Sequence, residues 1–343
     1  MERDLNFTVT DDRRDDSVRV NGGISEYAEV RSRTAELFRR PGIRVTAALL
    51  CCLLWGSAFP CVKMGYEMLN ITDTGSQILF AGYRFVLAGI FTFLAGCLIE
   101  KRALLPRKTA LPAVAGQAML QTALQYVFFY VGMAHTTGIK GSVINSSDVF
   151  FAMFAAHFLI RGERVTWRKM IGCIIGFAGV FSVNLQPGAW DSGFGFLGDG
   201  MIVLSSVMYG VSSVTLKLIA DRETPMCITS WQLFLGGLLL TAAGFLTGGR
   251  IGGFQLSSVL LLFYMALLST VAFSLWSMLL KYNQVGQVAI FGFSIPIFGS
   301  LLSALILGEK LLSLQNLAAL ALVSAGILVV NGVLPIKSGK YKG

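Results

Sequence analysis

Residues 158–184, FLIRGERVTWRKMIGCIIGFAGVFSVN, and residues 305–331, LILGEKLLSLQNLAALALVSAGILVVN, read as two copies of one segment. Each carries Gly-Glu near its start, at Gly162-Glu163 and Gly308-Glu309. Each continues as an apolar helix with an interior glycine, Gly179 or Gly326, and closes on Asn184 or Asn331. Two shorter stretches repeat as well. WGSAFPCVK at 55–63 matches YGVSSVTLK at 209–217, with a lysine seven residues after the glycine in both. YRFVLAGI at 83–90 matches WQLFLGGL at 231–238.

Around these anchors the chain is a series of apolar runs. A membrane-spanning helix needs about 20 largely apolar residues. Ten such runs lie near 46–66, 77–99, 111–133, 141–160, 169–185, 195–219, 227–247, 257–280, 285–307 and 313–334. Each copy holds five. An odd number of crossings turns the second copy upside down relative to the first. The expected fold is an all-α polytopic membrane protein with ten transmembrane helices in two inverted five-helix repeats, 46–185 and 195–335. Residues 1–45 form a tail, disordered or lying at the membrane interface. Inverted repeats are the build of alternating-access carriers, whose substrate site lies near the midplane between the halves. The same fold logic would also serve a channel or an enzyme scaffold.

Composition agrees. Of 343 residues, 54% are apolar and 14% charged, and the mean hydropathy is +0.67. Soluble domains carry about 25% charged residues. The net charge of +9 belongs to loops between apolar runs, so it speaks for topology and against a nucleic-acid partner. With the N-terminus in the cytoplasm, inside segments hold 19 basic residues and outside loops hold three, Lys140, Arg250 and Lys310. Both termini are therefore expected in the cytoplasm. The six cysteines fall in apolar runs and read as small buried residues. His135 and His157 stand alone on different helices, which argues against a metal. No cofactor motif, Ser-His-Asp set or carboxylate pair points to an enzyme.

Several motifs carry a family resemblance: Trp55-Gly56 with Lys63, Arg84-Phe85, the two Gly-Glu turns, and Ser294-Ile295-Pro296 followed by Glu309. In this order and repetition the chain resembles the drug/metabolite transporter superfamily, specifically its EamA-type members. The resemblance implies eight helices around a central cavity, with the fifth helix of each half at the periphery. It implies transport of amino acids, other small metabolites or sugar phosphates. The chain departs from the pattern where Phe150 stands opposite Pro296 and where helix 4 carries Asn145-Ser146-Ser147-Asp148.

Asp148 is the leading site residue. A carboxylate deep in a membrane helix is expensive unless it faces water or a partner. Ser142, Asn145 and Asp148 recur every three residues and are expected on one face. Arg84 can clamp a carboxylate with two parallel hydrogen bonds. An ion pair of Asp148 with Arg84 or Lys63 is the structural alternative. Lys63 near a helix end can also snorkel to headgroups. Gln117, Gln121 and Gln125, at i, i+4 and i+8, line the cavity or bond between helices. Trp55 and Tyr209 are matched aromatics beside glycines and are expected in the cavity. Glu163 and Glu309 cap backbone amides or pair with loop arginines. The expected function is export of a small polar metabolite, such as a neutral or aromatic amino acid, by alternating access. Arg84 would hold its carboxylate, and Asp148 its amine or an exchanging proton. Carriers of organic phosphates, nucleotide sugars or cationic drugs, and a non-transport membrane scaffold, are the alternatives.

Overall fold

In lipid a chain must satisfy its own backbone hydrogen bonds, and the described part of this chain does so with helices. The computed structural model describes residues 33–136, 144–183, 194–307 and 314–333. Most of the tail, Lys140, Ser142, Asn184, Gly308-Glu309 and Lys310 lie outside the described residues. The helices are α1 (Pro41–Met68), α2 (Thr74–Glu100), α3 (Leu111–Gln117), α4 (Gln125–Ala134), α5 (Asp148–Leu159) and α6 (Trp167–Val183). They continue as α7 (Met201–Ile219), α8 (Pro225–Leu246), α9 (Leu256–Tyr282), α10 (Val285–Ala289), α11 (Ser294–Leu307) and α12 (Leu314–Asn331).

Local chemistry sets the ends. α2 begins where the Asp73 side chain accepts from Ser76 N at 2.8 Å, and ends at Lys101 in a left-handed conformation (φ 51°). α1 and α8 begin with proline in the first turn, where a missing N–H loses nothing. Pro60 lies inside α1, where it removes a ladder bond to Gly56.

Five helical segments among the described residues are long and apolar enough to cross a membrane: Pro41–Met68, Thr74–Glu100, Phe196–Ile219, Pro225–Leu246 and Leu256–Tyr282. The remaining apolar runs are built differently from uninterrupted spans. The run at 111–133 passes through a wide π-helical segment, Ala118–Leu124, between α3 and α4. The run at 141–160 turns at Ser146-Ser147 before α5. The run at 285–307 tightens into a 3₁₀ turn, Ile290–Phe293, between α10 and α11. Residues 33–39 are helical, and Phe38 stacks on Tyr282 with ring centroids 6.2 Å apart.

The surface is apolar and much of the interior is polar. Leu98, Phe158, Leu246 and Leu256 are each more than three-quarters exposed, while Ser205, Ser212, Thr229 and Gln232 are fully buried. That inversion suits a lipid surround.

The helices meet through glycines at matched positions. α2 and α8 form one extensive pair and run antiparallel. A Cβ on Gly89 would lie 2.5 Å from Phe234 N, and one on Gly237 would lie 2.5 Å from Val86 N. Gly89 and Gly237 are matched residues 148 apart, as are Val86 and Phe234. α6 also crosses α12 through glycines, Gly172 and Gly326, although these two are not matched residues. On α1, Gly56 touches the Cβ and carbonyl carbon of Phe298 and the Gly299 nitrogen; on α7, Gly210 touches the same three atoms of Phe151 and Ala152. This contact registers α5 and α11 147 residues apart, one more than the match of Phe150 to Pro296.

Gly89→Ala should force α2 from α8 and destabilise the protein by about 1–3 kcal/mol, as overpacking does. Gly116, in a helix with open space around it, should tolerate alanine or gain about 0.5–1 kcal/mol. Thermal unfolding of both variants in detergent checks the pair.

Candidate functional site

The polarity of residues 145–148 follows from a break in the helix. Ile144 and Asn145 are helical, Ser146 and Ser147 turn, and α5 restarts at Asp148. Ser147 N donates to Ile144 O at 3.0 Å, and Ser147 O accepts from Phe150 N and Phe151 N at 3.0 and 3.1 Å. Short polar side chains compete with the helical ladder and so favour such turns. The expected continuous face of Ser142, Asn145 and Asp148 is thereby corrected: the turn separates Asn145 from Asp148, and Ser142 is outside the described residues. Asn145 offers its carbonyl to Ser206 Oγ on α7 at 3.2 Å. Asp148 occupies the first turn of α5, where the helix dipole favours a negative charge by about 0.3–1 kcal/mol. Its register match in the second half is Ile295, in the first turn of α11 just after the 3₁₀ turn, so both halves restart a helix at this point.

Asp148 lies deep within the protein yet remains partly accessible to solvent. Cys52 of α1 and Tyr209 of α7 stand within electrostatic reach of its carboxylate. Gly292 flanks it; a Cβ there would lie 3.9 Å from Asp148 Oδ1. Cys52 Sγ donates to Phe291 O at 3.1 Å, which holds α1 against the 3₁₀ turn.

Arg84 of α2 forms a separate pole. It is 4% exposed, and its Nε donates to Ser269 Oγ of α9 at 2.9 Å. The guanidinium lies 5.1 Å from the centroid of the Phe85 ring. Tyr66, Tyr126, Tyr130 and Cys61 stand within its electrostatic field. The Tyr66 hydroxyl approaches Tyr130 without ordinary hydrogen-bond geometry. Among the described residues no ion pair forms between Arg84 and Asp148, and both terminal nitrogens of Arg84 are uncommitted.

An aromatic strip joins the two poles. Phe85 meets Tyr126 at 4.5 Å and Phe273 at 6.1 Å between centroids. Phe273 meets Trp55 at 5.4 Å, and Trp55 meets Trp276 at 5.1 Å. Trp276 Nε1 is directed toward Tyr209, next to Asp148, without closing hydrogen-bond geometry. Trp55 and Tyr209 thus sit with the poles. Trp55 Nε1, Tyr66 Oη, Gln125 Oε1 and Ser274 Oγ are buried and lack protein partners among the described residues. Orphans of this kind are unusual in an interior that has no ligand or water to meet.

The glutamines divide. Gln117 Nε2 donates to Gln121 Oε1 at 2.7 Å and to Ser212 O at 3.0 Å, and Gln117 Oε1 accepts from Thr215 Oγ1. Gln121 is therefore held in a bond network between the π segment and α7. Gln125, one turn on, has its carbonyl oxygen uncommitted. Lys63 is exposed, and among the described residues no ion pair joins it to Asp148. Glu163 caps the Val285 amide at 2.8 Å, and its ionic partner is Lys217 instead of a loop arginine.

Sequence reasoning passed over Tyr66, Ser269, Phe273 and Gln232. Gln232 is fully buried with neither amide end bonded among the described residues. The signal for it was present, because the match of 83–90 to 231–238 sets Gln232 opposite Arg84.

A helical bundle that is apolar outside and holds inside a cation and a carboxylate not paired with each other has the make-up of a small-molecule carrier. The chain belongs to the EamA-like transporter family, whose model matches it twice, over residues 43–185 and 196–332. It is 26% identical to an "Uncharacterized transporter" of Archaeoglobus fulgidus, over 82% of this chain and 96% of that one. It is 23% identical to a "Probable amino-acid metabolite efflux pump" of Salmonella typhimurium, over 82% of this chain and 92% of the other. A "Probable terminal-alkyne amino-acid exporter" of Streptantibioticus cattleyicolor is 24% identical, with 84% and 93% covered. A solved crystal structure shares the fold with a TM-score of 0.71 at 16% identity, covering 84% of this chain and 98% of that one.

Gln117→Leu should leave Gln121 and Thr215 short of a partner and lower stability by about 1–3 kcal/mol. A depressed thermal midpoint in detergent, with the far-ultraviolet spectrum unchanged below it, is the expected reading.

Proposed function

We propose that this transporter exports a neutral or aromatic amino acid, or a close analogue, by alternating access between two inverted halves, 46–185 and 195–335. The observation that carries the reading is the pair of opposite poles, Arg84 and Asp148, left unpaired with each other and joined by an aromatic strip. A zwitterion with an apolar side chain complements all three parts. Arg84 receives the carboxylate through its terminal nitrogens. Asp148 receives the amine or exchanges a proton. Trp55, Phe273 and Tyr209 contact the side chain, with Gln125 and Asn145 at the margin.

Several observations support the mechanism. The family model matches the chain twice, once for each half. Matched positions of α2 and α8 meet antiparallel, as inverted copies would. Both halves interrupt a helix beside the site, a habit of carriers whose broken helices bind substrate. Two relatives bear amino-acid efflux names. The end of the bundle carrying Arg44, Arg107, Arg168 and Lys217 faces the cytoplasm by the positive-inside rule. Organic phosphates would need more deep cations than Arg84 supplies.

Counterflow of radiolabelled amino acids in proteoliposomes tests this. Saturable exchange of at least one apolar amino acid is expected. Arg84→Gln should lower kcat/KM by about 10- to 100-fold, the worth of a charged hydrogen bond. Asp148→Asn should flatten the response to an imposed pH gradient. Absence of exchange for every amino acid tried would overturn the substrate class.

A further inference from the structure

Beyond the site, one cluster of charged side chains does no evident work in binding. It lies at the basic end of the bundle, where the chain between α5 and α6 meets α7 and the α9–α10 junction. Gly162, with φ 93° and open space around it, turns the chain so that Glu163 enters the protein. The Glu163 side chain is 7% exposed. One carboxylate oxygen accepts from Lys217 Nζ of α7, and the other accepts from Val285 N of α10 at 2.8 Å. Lys217 Nζ also donates to Asn283 O. Asn283 Nδ2 in turn donates to Phe38 O at 3.1 Å, and Arg44 Nη1 donates to Asn283 Oδ1 at 3.4 Å. Lys169 Nζ of α6 donates to Gln284 Oε1 at 3.0 Å.

Glu163 belongs to the first half, while Lys217, Asn283 and Val285 belong to the second. The cluster thus ties the halves together at one end. Lys217 has a matched residue in the other half, Lys63, seven residues after the corresponding glycine. The two lysines are used differently. Lys217 is enclosed by Glu163 and Asn283, whereas Lys63, at the opposite end, is exposed. Lys217 is the more open partner at 20% exposed, and parting it from the buried Glu163 leaves that carboxylate uncompensated, which is costly until water reaches it.

We propose that Glu163 and Lys217 form the latch that closes the basic end of the central site, and that each transport cycle opens it. This rests on the alternating-access reading above. Withdrawing Glu163 breaks its bonds to Lys217 and to the Val285 amide together, so α7 and the α9–α10 junction part from the first half in one step, still joined to each other by Lys217 and the Asn283 carbonyl. The pair is intact in the described state, which on this reading is the one closed at the basic end.

Accessibility of the site from each face tests the latch without a known substrate. Tyr209→Cys in the full chain serves as reporter, reacted with a membrane-impermeant maleimide in right-side-out and inside-out vesicles. Five of the six native cysteines are buried and Cys97 is half-buried, and the parent protein supplies the background rate. The reporter should react faster from the face opposite the basic end. Lys217→Gln should raise the rate from the basic end, and lower it from the other, by about tenfold each, as a shift between two states requires. Lys217→Arg, which keeps donors for both Glu163 and the Asn283 carbonyl, should retain the original pattern. Glu163→Gln keeps an acceptor for the Val285 amide and serves if Lys217→Gln does not fold. A pair that only stabilises the protein would lower the thermal midpoint and leave both rates alone, which would overturn the latch. A Lys217→Arg variant that behaves like Lys217→Gln would do the same. A reporter unreachable from either face in every variant would instead defeat the alternating-access reading, and the latch with it.

Discussion

The structure depends on two glycines lying where two backbones touch. Between lipid-embedded helices there is no water to expel, so association rests on close packing and hydrogen bonds. Gly89 and Gly237 let α2 and α8 approach until a side chain on either would strike the main chain of the other. Because the two are matched residues, each helix is both ridge and groove for its counterpart. Everything else is placed relative to this crossing. Arg84 lies about one turn from Gly89 toward the start of α2, and Gln232 is its counterpart on α8. The crossing therefore sets the height at which the cationic pole stands.

The anionic pole is placed by the opposite device, a loss of regularity. α1 and α7 each use a glycine to seat the chain just beyond a helix break. The turn at Ser146-Ser147 ends one helical stretch and lets α5 start afresh at Asp148 inside the protein. The 3₁₀ turn Ile290–Phe293 gives the second half a similar interruption, and Gly292 leaves room beside the carboxylate. Rigid crossing and broken helix together hold a cation and an anion apart, with aromatic rings between them. Bringing the two charges together would have closed the site with an ion pair.

The repeats, the apolar runs and the family were legible in the sequence because each rests on spacing and length alone. Arg84 and Asp148 were legible because a charge in an apolar run is rare. The helix breaks were not. Asn145-Ser146-Ser147-Asp148 reads equally as a polar face or as a turn, and its surroundings, Ser206 and Gly292, come from distant segments. Likewise, the π segment at Ala118–Leu124 carries no proline or glycine to announce it. The independence of Arg84 from Asp148 was also hidden, since pairing is decided by which faces meet. Tyr66 and Ser269 become meaningful only once α1 and α9 flank α2. Gln232 was within reach, because the repeat match placed it opposite Arg84.

The interrupted helices bear on how the protein is made. α5 has 12 residues, about 18 Å of helix, against a hydrocarbon thickness of about 30 Å. α5 alone is thus shorter than the hydrocarbon, and it begins on a carboxylate that is costly at depth. Its stay in the membrane depends on α7, whose Gly210 receives Phe151 and Ala152, and α7 is synthesised later. The packing of the first half is therefore complete only once α7 of the second half is in place.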